Sequence, residues 1–299
     1  MRRTLLSATL LTALATPMAF AHNHGGEAKA ADAKPMDAAA HDAHEQAKAA
    51  IDAVVAGEWR TPANVARDGF RHPAETLAFF GVTPSMTVVE VSPGSGAWWT
   101  EILAPLAKQG GGTYIAAITD PAKTTSDRAR EYFTGDNAKF RERLAKAPEQ
   151  FGSAVLREVD PTAPVYGEPG SADAVLTFRN LHGWMRNGQA DGQMAAFFAV
   201  LKPGGVLGVE QHRANADVPA DKIQGYVSEA QVIALAEAAG FVLEAKSEIN
   251  ANPKDTKDHP NGVWTLPPNL DVPEGEDKAK YQAIGESDRM TLRFRKPKA

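Results

Sequence analysis

From Pro73 onward the chain switches repeatedly between two hydrophobic periods. Short β-branched runs, apolar at nearly every position, give way to longer stretches with apolar residues three and four apart. The first pattern marks strands buried on both faces, and the second marks the helices that cover them. The spacing predicts strands over Thr87–Val91, Tyr114–Ile118, Val155–Val159, Ala174–Phe178, Val206–Glu210, Phe241–Ala245 and Met290–Phe294. Helices are expected over Trp98–Ala107, within Pro121–Lys146 and over Met194–Leu201. Pro73 opens a further helix that Gly81 closes. Ser228-Glu229-Ala230-Gln231 is a capping box for another that ends at Gly240. Lys202-Pro203-Gly204-Gly205 reads as a turn. Strands alternating with helices imply an α/β fold, a mostly parallel seven-stranded sheet with helices on both faces. No helix-like stretch separates the last two strands, so the last strand is expected to run antiparallel.

The first fifty residues do not share this pattern. Arg2 and Arg3 precede an apolar run from Leu5 to Phe20, and Ala19-Phe20-Ala21 is a small-x-small cleavage site. Residues 1–21 therefore read as a secretory signal, and the mature chain as exported, to the periplasm. Cleavage would remove two positive charges and no acid, moving the formal net charge from −5 to −7. No later segment is apolar enough to span a membrane, and nothing resembles a nucleic-acid footprint. The chain has no cysteine, which excludes disulfides and thiolate chemistry and fits an oxidising compartment. Residues 22–50 are Ala-, Asp-, Lys- and His-rich and read as a disordered tether, with a helix becoming plausible from His44 to Val55. His22, His24, His41, His44 and Glu45 offer metal-ligating groups or simply a solvated linker, and no metal site is assigned. The folded domain then runs over 51–299, with a polar insertion at about 250–288.

In an open α/β sheet, ligands sit beyond the carboxyl ends of the strands where the strand order reverses. Each predicted strand end here carries polar groups. The first gives Glu90 and the turn Ser92-Pro93-Gly94-Ser95-Gly96, which leads into a helix start and leaves backbone N–H groups open to a ligand. The second gives Asp120, an acid able to accept both hydroxyls of a ribose. The third gives Asp160. The fourth gives Arg179, Asn180 and His182, and the fifth Glu210, Gln211, His212 and Arg213. Arg179 holds an acidic acceptor or pairs with a nearby carboxylate. Trp98 and Trp184 are candidates for the pocket wall, Trp99 reads first as helix-on-sheet packing, and Tyr226 either borders the acceptor or braces the adjacent capping box.

An acid followed by a turn with three alternating small positions resembles the first motif of class I S-adenosylmethionine-dependent methyltransferases. Glu90 is the acid, and Ser92, Gly94 and Gly96 stand at the glycine positions, Ser92 being a departure. Arg71-His72-Pro73-Ala74-Glu75, Phe178 to Met185, Asn250 to Asp255 and Gly262 to Pro268 are similar to segments of a bacterial group of exported methyltransferases without an assigned substrate. The resemblance implies a Rossmann-like methyltransferase fold and S-adenosylmethionine as cofactor. It implies that Glu90 and the turn hold the methionine part, that Asp120 binds the ribose and that Asp160 lies near the adenine. Arg179 and Asn180 complete the expected cofactor residues.

Methyl transfer then needs a small-molecule acceptor aligned with the cofactor and, where the acceptor carries a proton, a base. His182 and His212 are the candidates, because imidazole titrates near neutrality. Val263, Trp264 and Leu266 in the insertion suggest a lid over the acceptor side. Two alternatives remain: a non-catalytic S-adenosylmethionine- or nucleoside-binding protein of the cell envelope, and a nicotinamide-dependent oxidoreductase. Oligomeric state has no signature in these residues.

Overall fold

The computed structural model describes residues 38–298. The expected signal and residues 22–37 of the expected tether lie outside the described residues. From Ala38 the tether gives way to helix α1 (Ala38–Val55). Alanine is the strongest helix former, and Ala47, Ile51 and Val54 form a buried edge spaced four and three apart. Ile51 and Val54 join the core beside Leu77 and Ile102. Three short helices follow, α2 (Pro62–Val65), α3 (Asp68–Arg71) and α4 (Pro73–Phe80). Pro73 stands in the first turn of α4, and Gly81 at φ 71° caps it, as the sequence predicts.

The remaining chain alternates as expected: β1 (Thr87–Val91), α5 (Thr100–Gly110), β2 (Thr113–Thr119), α6 (Asp127–Ala145), α7 (Pro148–Phe151), β3 (Val155–Val159) and β4 (Ala172–Phe178). Then come α8 (Leu181–Arg186), α9 (Ala190–Val200), β5 (Leu201–His212), α10 (Glu229–Ala238), β6 (Val242–Ser247), α11 (Lys278–Ile284) and β7 (Arg289–Arg295). The sheet order is β3-β2-β1-β4-β5-β7-β6. Pairing is parallel from β3 through β5, and β7 runs antiparallel to both neighbours.

The alternation of β1 divides the core. Val88 faces a cluster containing Trp99, Ile102, Phe140 and Phe178. Val89 and Val91 face a second cluster containing Leu181, Met194, Phe197 and Val232. Helices α1, α4, α5 and α6 therefore cover one face, and α8, α9 and α10 the other. Pro105 lies inside α5 and cannot bond the carbonyl of Glu101. The indole Nε1 of Trp59 donates to that oxygen instead, at 2.8 Å, so the helix keeps its proline without an orphaned acceptor.

Two expectations need correction. Lys202-Pro203-Gly204-Gly205 is not a turn ahead of the strand: β5 already begins at Leu201 and runs through it, because Gly204 N donates to Lys296 O and Lys296 N donates to Gly205 O. A register shift between Ala172 and Ala174 and φ 80° at Gly204 absorb the irregularity. The stretch before the last strand also contains a helix, α11, which Asp277 caps by accepting from Ala279 N at 2.8 Å. No helix among the described residues is long and apolar enough to cross a membrane.

Candidate functional site

The order reverses between β1 and β4, and a cavity of about 380 Å3 opens there, beyond the carboxyl ends of the strands. That volume lies within the range of about 300–1,000 Å3 usual for small-molecule sites. Ser92, Pro93 and Gly94 line it from the β1 turn, Thr119 from β2, Pro161 and Thr162 from beyond β3, and Arg179 and Asn180 from beyond β4. His182 and Trp184 on α8, and Tyr132, Phe133 and Asp136 on α6, complete the wall.

The turn is built to be approached. Ser92 N donates to Ala117 O at 2.9 Å, Ala97 N to Gly94 O at 3.1 Å, and Ser95 N to Asp136 Oδ1 at 3.2 Å. Among the described residues, the N–H groups of Gly94 and Gly96 find no protein acceptor. Gly94 has φ 69°, and a Cβ at either glycine would meet nothing within 4 Å. At Gly94 that open space belongs to the cavity, whereas Gly96, also expected at the cofactor, is exposed and does not line it. Ser92 holds φ 52°, the left-handed conformation that favours glycine at this position. Asn180 braces the turn by donating to Val91 O at 2.9 Å and to Thr177 Oγ1 at 3.1 Å.

Three expected cofactor carboxylates stand apart from the cavity wall. Glu90 points to the α5 face and is 1% exposed. It accepts from Tyr114 OH at 2.5 Å and Thr100 Oγ1 at 3.0 Å. Burial pushes it up to about 7, against the pull of those two hydroxyls. Asp120 ends β2 and caps the next turn by accepting from Ala122 N at 2.9 Å; its neighbour Thr119 is the residue that lines the cavity. Asp160 accepts from Thr162 N and Thr162 Oγ1, both at 2.8 Å. Those bonds hold its carboxyl below the usual range and leave Pro161 and Thr162 facing the cavity. Of the tryptophans, only Trp184 reaches it. Trp99 stacks on Phe178 at 4.1 Å in the core, and Trp98 Nε1 donates to Asn64 O.

A second cavity of about 270 Å3 adjoins the first, with Arg179 and His182 common to both. His212, Trp264, Val263 and the Pro267-Pro268 pair line it, so residues of the insertion form part of its wall. His182 and His212 stand 5.8 Å apart between ring centroids, and Trp264 meets His182 edge-on at 5.9 Å. Gly225 O accepts from Gln211 Nε2 at 3.0 Å, which fixes the amide's orientation. The same Nε2 lies 3.3 Å from His182 Nδ1 and donates to it, so neutral His182 carries its proton on Nε2 by this assignment. His182 is therefore arranged as a donor rather than a base. His212 Nδ1 lies 2.6 Å from Ser287 Oγ; with Nδ1 donating there, Nε2 is left as the acceptor. Burial lowers His182 to about 4 and pushes His212 well down. Both are neutral at pH 7, but neither is tuned near it.

Sequence reasoning missed Arg67, Arg71, Glu286 and Arg289, which complete the second cavity. Arg71 lies in the Arg-His-Pro-Ala-Glu segment singled out above, but nothing local gives it a role. Tyr226 OH donates to the buried Asp255 carboxylate at 3.0 Å and does not line either cavity. Arg213 spends its guanidinium on Asp288 and Glu248, at 2.9 and 2.7 Å. No group of three or more His, Cys, Asp or Glu residues is placed to hold a metal among the described residues.

The chain matches no family model and no curated protein sequence. Among solved structures it is similar to the [4+2]-cyclase SpnF, at 16% identity over 82% of this chain and 85% of that one, with a TM-score of 0.50. A SAM-dependent methyltransferase from Aquifex aeolicus aligns at 15% identity over 83% and 98% of the two chains, with a TM-score of 0.48. The glycopeptide N-methyltransferase MtfA aligns at 17% identity over 78% and 99%, with a TM-score of 0.45. At these identities likeness speaks for the fold alone. The strand order with its reversed β7 is the Rossmann-like methyltransferase fold, and a fold does not fix a reaction.

Proposed function

We propose that this chain transfers a methyl group from S-adenosylmethionine to a small-molecule acceptor. One observation carries the reading: the turn at Gly94 presents an unbonded N–H group and side-chain-free space to a cavity at the reversal of strand order. That amide suits the carboxylate of an amino-acid tail. Thr119, Tyr132, Phe133, Pro161 and Thr162 offer a polar and aromatic wall for a nucleoside. Asn180, tied to Val91 O, keeps the turn in place. When bound, the cofactor supplies a methyl group made electrophilic by its sulfonium. The protein then has to align the acceptor and exclude water, a task for Trp184, Trp264 and the Pro267-Pro268 corner. His182 donates a hydrogen bond from Nε2, and His212 Nε2 takes the acceptor's proton where there is one. The exported location expected from residues 1–21 is retained as part of this proposal.

One observation favours the non-catalytic alternative: neither imidazole is tuned near neutrality, where a general base works best. A single set of measurements separates the readings. S-adenosylhomocysteine should bind by calorimetry and NAD should not. Labelled methyl groups should move from S-adenosylmethionine to a small-molecule extract. Gly94→Arg, which fills the open space beside the turn, should abolish both. Binding without transfer to any acceptor selects the binding protein, and failure of S-adenosylhomocysteine to bind ends the proposal.

A further inference from the structure

We infer that the second cavity is an oxyanion site, and that the methyl acceptor is a small amphiphilic carboxylate or phosphate whose charged head sits among Arg67, Arg71, Arg179 and Arg289. This rests on the reading of the adjoining cavity as the cofactor site. The argument is one of uncompensated charge. Arg71 and Arg289 are 2% and 1% exposed. The four guanidinium groups share two carboxylates. Glu286 pairs with Arg67 at 2.5 Å, with Arg71 at 3.3 Å and with Arg289. Glu210 lies 3.3 Å from Arg289 and 3.9 Å from Arg179, and neither of its oxygens receives a hydrogen bond. Arg71 Nη1, Arg179 Nη1 and Arg289 Nε likewise find no acceptor; these atoms are sealed, so a ligand in the cavity would meet the charge of the groups through their other N–H bonds.

Buried guanidinium groups that outnumber the carboxylates paired with them are costly unless something answers the excess charge. Burial lowers Arg71, and Arg179 adds to that; burial also draws Arg179 down to about 10. A guanidinium in a protein keeps its proton, so the surplus of two positive charges calls for an anion. Planar N–H forks match the oxygens of a carboxylate or phosphate. Arg71 is also held in place from behind, its guanidinium 4.8 Å from the centroid of the Trp98 ring. Val263, Trp264, Pro267 and Pro268 give the cavity an apolar side, while His182, His212, Asn269 and Ser287 add polar groups. A volume of about 270 Å3 admits a body such as a single ring.

The test is calorimetry on the mature chain at low ionic strength with benzoate, phenyl phosphate and uncharged benzyl alcohol, with and without S-adenosylhomocysteine. The anions should bind, the alcohol should not, and added salt should weaken the anions. Arg71→Met should lower anion affinity about tenfold, the scale of one charge-assisted contact. Glu286→Gln should do the opposite and tighten it, because the internal competitor for the arginines loses its charge. A residue with only a structural role would not produce opposite signs. If Arg71→Met does not fold, Arg179→Met takes its place. Equal binding of alcohol and anions, or Glu286→Gln weakening or leaving the anions unchanged, overturns the inference. Anion binding in a chain that never binds S-adenosylhomocysteine would leave this site standing and remove the methyl-transfer reading. The reverse pattern would do the converse.

Discussion

Replacing Glu90 by Gln tests whether this acid belongs to the ligand or to the core. The structure buries it completely, between Tyr114 OH and Thr100 Oγ1 and away from the cavity. Its carboxyl rises from 4.5 to about 7 because burial penalises the charge. At about 1.4 kcal/mol for each pH unit, that difference corresponds to about 3 kcal/mol. The sign follows from which state binds the proton more tightly. The folded chain does, so its contribution is full below pH 4.5, declines as pH rises, and is lost above about 7. Glutamine stays neutral and can still accept from both hydroxyls, so the variant should lack this decline. Urea unfolding of both proteins from about pH 4 to about pH 8.5 should show the wild type losing about 3 kcal/mol relative to the variant across that window. S-adenosylhomocysteine affinity should change little. Parallel stability curves would refute the burial argument, and a large loss of cofactor affinity would return Glu90 to the site.

Other consequences follow from the same geometry. Trp99→Ala removes the ring stacked on Phe178 in the core and should cost about 3–5 kcal/mol in urea unfolding, with cofactor affinity per folded molecule unchanged. Ser92→Gly relieves a left-handed serine at φ 52°; the gain of about 1–2 kcal/mol outweighs the extra entropy of an unfolded glycine, about 0.4–1 kcal/mol, so thermal melting should move slightly upward. Trp264→Ala opens the second cavity and should raise acceptor KM more than it changes cofactor Kd, and equal losses in both would count against a lid.

The fold was legible because each strand announces itself locally. Thr87–Val91 and Val155–Val159 coincide with β1 and β3; the β-branched run of β1 between turn residues needs no distant information. The capping box at Ser228 and Gln231 forms as written. Where local reading failed, a remote partner decided. Lys202 to Gly205 reads as a turn alone and as strand beside Lys296. Helix α8 was missed because six residues with a central Gly183 carry too little pattern, yet it seats His182 and Trp184. The cavity wall was harder. Polar strand ends did mark Arg179, Asn180 and His182, but carboxylates in turn positions satisfied their own backbone first, as Asp120 and Asp160 do. Sequence spacing shows that an acid follows a strand and cannot show that a neighbouring amide claims it.

The arginine cluster shows why the remainder was out of reach, and what that distance achieves. Arg67 and Arg71 come from α3 and its approach, Arg179 follows β4, and Glu286 and Arg289 flank the start of β7. Only the antiparallel return of β7 beside β5 brings them together, and pairing His212 with Arg289 fixes the register. Asn250 ties the same corner, donating to Thr76 and Thr291 at 3.0 Å each while its carbonyl accepts from Arg289 N at 3.1 Å. Asn252 binds the carbonyls of Ile284 and Glu286. The Asn-Ala-Asn-Pro-Lys-Asp segment is thus a brace that holds surplus positive charge beside the first cavity. Such charge lowers stability unless it is answered, and the brace fixes the geometry on which the inferred oxyanion site depends. An oxyanion seated there would also offset the positive field that helps keep His212 deprotonated, lifting the imidazole toward the range in which it works as a base.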